Sequence, residues 1–397
     1  MVGTGAEAFR EHYRPVPMTS FLVKVHSRCN LMCDYCYEYN CGNISWKKKP
    51  REMPWEVYSK AVDRIVSHAV RHSVPCCFFS FHGGEPLLRT PDFFRRAVDY
   101  AREAGSRESV EINFGMQTNG TLLNAEWAET LADLSICCGV SLDGPEDAHN
   151  EFRVYSNGLP SYSDVIAGLE WLLTPRGRTV WTGFLTVINP VRDPVEIFDH
   201  LAAFSPPFTD FLEPHGSWNK MPVGKMSPED TTYGDWLIRL FDSWFGTSRG
   251  IVPIRKFDEI IEHVYGGRGM LESFGLESVD IVTVATDGAY ETVDCIKVAH
   301  PEAENLGLNV FDHSLDDVMN HPKTMLRQMG LAALPDRCRG CDVVGICGGG
   351  YFAHRYSPET GFRNPSIFCA DLYKLIHHIK DRISETLKDS PAETVAL

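Results

Sequence analysis

Cys29, Cys33 and Cys36 occur in the spacing C-x3-C-x2-C inside the stretch HSRCNLMCDYCYEYN, residues 26–40. Nothing in the chain directs export, and in a reducing compartment clustered thiolates bind metal more often than they pair as disulfides. A closed zinc site takes four ligands. This loop offers three, and three cysteines on an iron–sulfur cluster leave one iron open to an outside ligand. A zinc knuckle completed by a distant His or Cys is the alternative that the spacing leaves standing. A second group, Cys338, Cys341 and Cys347 in C-x2-C-x5-C with Cys369 further on, is a complete set for a closed iron–sulfur cluster or a structural zinc. The pairs Cys76–Cys77 and Cys137–Cys138 sit in the apolar runs PCCFFSF and ICCGVSL. Free Cys packs as a small hydrophobe, so these four are expected in the core.

Such loops must be carried by rigid elements. The chain has 397 residues, 43% hydrophobic and 23% charged, a globular composition with room for two or three domains. A net charge of −15 argues against bulk binding to nucleic acid or to anionic membranes. With no signal-peptide pattern and no apolar run of about 18 residues, a soluble cytoplasmic protein is expected. FLVKV (21–25) reads as a strand, and Val57, Ala61, Ile65 and Ala69 recur as one helix face. CFFSF, VEINFGMQ, ICCGVSL, VWTGFLTVI and FTDFL, each followed by a helical pattern, repeat the unit. Six β-then-α units make a parallel sheet, open or closed into an incomplete barrel. The first cysteine loop follows the first strand at its carboxyl end, where such sheets carry active sites.

After about residue 250 the rhythm changes. VDIVTVATDGAYETVDC (279–295) reads as a hairpin around Asp287-Gly288. The rest is Gly- and Cys-rich until a final helix with Phe368, Leu372, Leu375, Ile379, Ile383 and Leu387 on one face. The expected division is a flexible lead-in (1–19), an α/β unit (20–250), a Cys-rich unit (251–388) and a tail (389–397).

With Tyr35 before its last cysteine, the first loop resembles the signature of the radical SAM superfamily. HGGEP (82–86), QTNGTLL (117–123) and SLDGPEDAHNEFR (141–153) follow the second, third and fourth strands, where that family has its motifs. The resemblance implies a partial (β/α)6 TIM-type barrel. It implies that Cys29, Cys33 and Cys36 hold a 4Fe-4S cluster whose open iron is chelated by S-adenosylmethionine. Tyr35, Gly83, Gly84, Glu85, Ser141 and Arg153 are the implied cofactor contacts. Gly83 to Glu85 face the methionine amino group, and the Arg153 fork suits the carboxylate. An electron donor such as flavodoxin or ferredoxin would reduce the cluster. The cofactor would then be cleaved to methionine and a 5′-deoxyadenosyl radical.

CRGCDVVGICGGG with the later Cys369 is similar to the SPASM extension of peptide-modifying radical SAM enzymes. It implies that Cys338, Cys341, Cys347 and Cys369 hold an auxiliary 4Fe-4S cluster. A full SPASM domain has further cysteines for a second one. Where they are expected this chain has Asp312, after Gly307, and Tyr351, after Cys347. One auxiliary cluster is therefore expected, with Cys295 a core thiol or a ligand with unusual partners. ICGGGYFAHRYSPETGFRNPSIFC (346–369) resembles the subgroup that matures ribosomally made precursor peptides by forming cyclophanes. The implied reaction removes a β-hydrogen and joins that carbon to an aromatic residue. The alternatives are a thioether crosslink, an epimerisation, a sulfatase-type oxidation, or a non-catalytic metal-binding scaffold. The sulfatase-maturing enzymes share the QTNG and SLDG segments, but their general-base Asp follows a cysteine absent here. Glu213, His215, His26 and His82 are further candidates for cofactor or substrate contact. Tyr37, Tyr39, Trp46, Trp218, Tyr351 and Tyr356 are candidates for lining the site, although packing explains most of them.

Overall fold

The computed structural model describes residues 13–42, 44–247 and 252–389. The expectations for residues 1–12 and 390–397, and the division at 250, fall on residues outside that description. β1 (Ser20–His26), β2 (Cys76–Gly83), β3 (Glu111–Thr118), β4 (Ile136–Ser141), β5 (Trp181–Val187) and β6 (Phe208–Leu212) are parallel neighbours in sequence order. Between them run α1 (Trp55–His72), α2 (Pro91–Arg107), α3 (Ala125–Asp133), α4 (Glu146–Phe152), α5 (Tyr162–Leu172) and α6 (Pro194–Ala202), and α7 (Thr232–Thr247) follows β6. These are the six β-then-α units read from the periodicity, arranged as a partial barrel.

The helices start where local chemistry sets them. Asn124 accepts from the Trp127 N–H at 3.0 Å and Asp193 from the Val195 N–H at 2.9 Å, each satisfying a free donor of a first turn. Pro91 and Pro194 open α2 and α6, where a missing N–H costs nothing. The strands alternate. Phe21, Phe79, Phe81 and Phe114 are fully or almost fully buried against the helical layer, with Phe81 5.0 Å from Phe94 of α2 and 5.6 Å from Phe114. Lys24 and His82, paired in register on β1 and β2, take the opposite face. Gln117 and Ser141 share that face, 3.0 Å apart. The apolar core thus lies between sheet and helices, and the inner face of the sheet is polar.

Four expectations are corrected. Strand alternation sends one cysteine of each pair to either side, so Cys77 and Cys138 are buried while Cys76 is half-buried and Cys137 exposed. The hairpin after residue 250 does not stand apart: β7 (Ile281–Val284) adds in parallel to β1, and β8 (Ala289–Glu291) and β9 (Asn305–Asn309) continue antiparallel, giving one nine-stranded sheet. Within the lead-in, residues 13–19 are anchored. Val16 donates to Gln328 at 3.0 Å and Met18 to His68 Nε2 at 3.0 Å. On the final helix, α9 (Cys369–Asp389), Leu387 is exposed and Ile376 is buried in its stead.

α9 packs on α7 and on α8 (Arg255–Val264), and its first turn is locked from below. Asp371 accepts from Tyr233 N and Gly234 N at 2.9 Å each and meets buried Lys225 at 2.7 Å. Removing one partner strands the other charge in the core. Asp371→Ala should cost about 3–5 kcal/mol, read as a fall in the urea midpoint at unchanged slope.

Candidate active site

The loop after β1 is tied to the loop after β2 by Gly84 N to His26 O at 2.9 Å and Glu85 N to Arg28 O at 3.0 Å. This approach explains the paired glycines. A Cβ on Gly83 would stand 2.0 Å from the His26 carbonyl oxygen, and one on Gly84 1.9 Å from the Tyr39 hydroxyl and 2.4 Å from the Arg28 carbonyl. His26 Nδ1 faces the Arg28 backbone, 2.9 Å from its carbonyl oxygen and 3.2 Å from its nitrogen.

Cys29, Cys33 and Cys36 stand together on this loop. Cys29 Sγ accepts from Leu31 N at 3.3 Å and from Asn119 Nδ2 at 3.6 Å. Cys36 N reaches back to Cys33 O at 3.0 Å, and Asn40 Nδ2 holds the same carbonyl at 2.7 Å. Burial pushes the Cys36 thiol up to about 12 and raises Cys29 and Cys33 too, with the three sulfurs repelling one another's charge. Enclosed, mutually repelling thiols flanked by N–H donors are a donor set that a cationic cluster would stabilise as thiolates.

Glu85 joins this loop to the β3 loop. Its carboxylate accepts from Leu87 N at 3.0 Å, Thr118 Oγ1 at 2.7 Å and Asn119 N at 2.8 Å. Burial still pushes it up to about 7. Arg153 donates through Nε to Asp143 at 2.9 Å, and Asp143 also accepts from the Tyr35 hydroxyl and from Val187 N at 3.1 Å. Asp143 orients both Tyr35 and Arg153. It and Asn119 had no role in the sequence reading, although both sit inside the SLDG and QTNG segments. Ser141 accepts from Gln117, leaving its own hydroxyl proton free to donate.

Behind this loop lies a buried ion network that the sequence did not reveal. Lys24 meets Glu38 at 2.9 Å, Glu291 at 3.3 Å and Asp294 at 3.6 Å. Lys297 meets Glu38 at 2.8 Å and Lys49 pairs with Glu291. Tyr37 donates to Asp294 at 2.7 Å, and His82 Nδ1 lies 3.3 Å from the same carboxylate. His82 keeps 21% of its side-chain surface accessible, and Tyr37, His215 and Tyr351 are likewise only half-buried. His215 stands edge-on to Tyr37 at 5.5 Å and 3.3 Å from the His354 ring nitrogen. Burial pushes His215 down to about 4 and His354 lower still, so both are neutral.

Cys338, Cys341, Cys347 and Cys369 come together around a cavity of about 610 Å³. The Gly348–Gly349–Gly350 turn has φ of 57°, 82° and 70°, the left-handed region that favours glycine. Arg355 holds its carbonyls, with 2.8 Å to Gly348 O. Cys295 is elsewhere, its sulfur against the Tyr351 hydroxyl. The charges that weigh most on it are those of Asp294, Glu272 and Arg327. Glu213 is bound by Lys256 at 2.7 and 2.8 Å through its two oxygens, so it is an ion-pair partner and not a free ligand. Trp218 donates to Pro365 O at 2.8 Å, and Trp46 packs against Tyr39 and Arg28. His68, His72 and Asp316 bring three ligand atoms within 4.8 Å. The Met18 N–H occupies His68 Nε2, however, so Nδ1 carries the proton toward Asp316. The group is a hydrogen-bonded latch.

Burial pushes Glu291 up, but Lys24, Lys297 and Lys49 pull it down further, to about 2. Its contribution to stability is in place above its ordinary 4.5 and is lost as pH falls toward 2. In Glu291→Gln the urea midpoint should fall less steeply over that window than in the wild type.

The Radical SAM superfamily profile matches residues 23–201. The chain is 26% identical over 387 residues to a serine-type anaerobic sulfatase-maturating enzyme of Bacteroides thetaiotaomicron, covering 91% of this chain and 89% of that one. It is 26% identical to a cysteine-type anaerobic sulfatase-maturating enzyme of Clostridium novyi, covering 88% and 92%. Among solved structures, anSMEcpe with bound AdoMet superposes with a TM-score of 0.80 at 24% identity, over 95% and 97% of the two chains. SuiB of Streptococcus suis bound to its precursor peptide SuiA gives 0.57 at 13% identity, over 91% and 78%. No helix among the described residues is long and apolar enough to cross a membrane. The motifs, the partial barrel and these matches agree: residues 23–201 are a radical SAM domain, and the chain is an enzyme with S-adenosylmethionine and iron–sulfur clusters as its cofactors.

Proposed function

We propose that this enzyme modifies a ribosomally made precursor peptide, joining an unactivated β-carbon to the ring of an aromatic residue to form a cyclophane. The observation that carries the proposal is the cluster of aromatic rings and neutral imidazoles beside the cysteine loop, in which Tyr37, His215, Tyr351 and His354 stand against one another. An aromatic side chain fits against such a cluster edge to face. Tyr351 and His354 belong to the Gly-rich segment 346–369, which resembles the cyclophane-forming subgroup. A peptide substrate agrees with the names of the relatives.

Cys29, Cys33 and Cys36 would hold the cluster that opens toward S-adenosylmethionine. Gly83, Gly84 and Glu85 would meet its amino group, since Glu85 retains a lone pair on the oxygen facing Asn119. Ser141 and the free end of the Arg153 fork would meet its carboxylate, with Tyr35 beside them. Cys338, Cys341, Cys347 and Cys369 would hold the auxiliary cluster, with Arg355 offsetting its negative charge. Residues 20–250 would carry the radical chemistry and 251–388 would cap it, with a flavodoxin or ferredoxin as electron donor. When bound, these cofactors supply a 5′-deoxyadenosyl radical that removes a hydrogen atom and a centre that takes back one electron. The chain encloses the peptide, excludes water and orients the ring against the β-carbon. A second outcome, oxidation of a Ser or Cys side chain, is favoured by the 26% identity to sulfatase-maturating enzymes over nine-tenths of the chain.

The test is peptide mass after anaerobic co-expression with short reading frames encoded beside the gene. Loss of two hydrogens, mapped to an aromatic residue and a neighbour and absent with Cys33→Ala, is the expected result. The same loss mapped to Ser or Cys with no crosslink would replace crosslinking by oxidation. Iron provides a separate check. Reconstituted enzyme should hold about eight irons per chain, two four-iron clusters, and about four in Cys341→Ala; about twelve in the wild type would bring Cys295 in as a ligand.

A further inference from the structure

We propose that His82 is the base that takes the ring proton, with Asp294 as its positioning partner; the role rests on the crosslinking proposed above. When the β-carbon bonds to the arene, the attacked ring carbon becomes tetrahedral. Aromaticity returns when that carbon gives up one electron and one proton. The electron goes to the one-electron iron–sulfur acceptor of the cofactor set. The proton needs a base within reach of the ring.

His82 has the geometry for it. Its Nδ1 is sealed from solvent, makes no hydrogen bond, and has Asp294 Oδ2 as its acidic neighbour at 3.3 Å. A nitrogen facing a carboxylate keeps its proton, which leaves the lone pair on Nε2. Because Nδ1 is sealed, the 21% of the side chain that stays accessible belongs to its other atoms. His82 directly precedes Gly83 and Gly84, so it stands beside the segment proposed to hold S-adenosylmethionine. On taking a proton its cation would face Asp294, itself held by Tyr37 at 2.7 Å and Lys24 at 3.6 Å. Among the described residues, neither His215 nor His354 has a carboxylate within 4 Å; each faces the other at 3.3 Å. Asp294 is a poor base: burial pushes it up, but Lys24 and Lys297 hold it far below the usual carboxylate range. The charged groups facing His82 are Asp294 and Glu38, which favour its cation, and Lys24 and Lys297, which oppose it. Burial outweighs them and lowers it from its ordinary 6.5, so it waits neutral.

Two measurements on the reconstituted enzyme test this. The first needs no substrate: deuterium exchange at the imidazole Cε1 of each histidine, followed by mass spectrometry across pH. His82 should titrate below 6.5, and lower again in Asp294→Asn, where the favouring charge is gone. An ordinary titration indifferent to Asp294→Asn would overturn the proposal. The second uses whichever encoded peptide the wild type modifies. Modified peptide per 5′-deoxyadenosine should fall about 10²-fold or more in His82→Gln, and added imidazole should restore it in His82→Ala. His82→Gln with an unchanged ratio and pH profile would overturn the role of His82 while crosslinking stands. A wild type that cleaves S-adenosylmethionine yet modifies no peptide would overturn the crosslinking itself, and the role of His82 with it.

Discussion

Three lysines and three carboxylates are neutralised against one another in the interior: Lys24, Lys49 and Lys297 with Glu38, Glu291 and Asp294. Taking such charges out of water costs several kcal/mol per ion unless each finds close partners. Here the partners come from five places in the chain: Lys24 is on β1, Glu38 on the cysteine loop, Lys49 just past the turn at 45–48, Glu291 on β8, and Asp294 and Lys297 on the turn that follows. The full set of pairs forms only when all of these segments are docked. The network therefore makes the geometry of the cysteine loop conditional on the arrival of the C-terminal half. A hydrophobic core in the same place would bind the two halves as firmly, but it would tolerate sliding. Charge pairs at about 3 Å do not.

The polar inner face of the barrel follows from the same economy. Helices cover the outer face of β1 to β6 and bury the aromatic residues there. The alternate positions face inward. Lys24, His82, Gln117 and Ser141 occupy them: Lys24 is ion-paired, Gln117 donates to Ser141, and His82 lies 3.3 Å from Asp294. The glycines at 83 and 84 permit the backbone contact that brings the cysteine loop over this face. Asp143 then holds Tyr35 and Arg153 at one side of it, and Glu85 holds the β2 and β3 loops at the other.

The C-terminal half is built more locally. The Gly348–Gly350 turn, Arg355 and the first turn of α9 shape a cavity around four cysteines that are neighbours in sequence or one helix start away. Where the SPASM pattern has a further cysteine, Tyr351 stands against Cys295 and beside the imidazoles of His215 and His354.

Much of this was legible in the sequence because it is encoded by spacing. Cysteines three and four residues apart share a loop wherever it folds, a period of two or near four names a strand or a helix, and Asp287-Gly288 names a hairpin. Hence the six β-then-α units, both cysteine sets and the order of the motifs followed from the chain alone. Where spacing is ambiguous the sequence misled: adjacent cysteines in a strand face opposite sides, and the hairpin that closes the sheet looked like the start of a separate unit. Lys24 with Glu38 and Glu291, Asp294 with His82, Glu213 with Lys256, and Cys295 with Tyr351 were decided only by the tertiary structure. These partners are mostly tens to hundreds of residues apart, and a charge or a thiol carries no mark of its partner until folding brings the two within 4 Å. Sequence determines what each segment can do; the folded distances between segments determine which of those capacities are used.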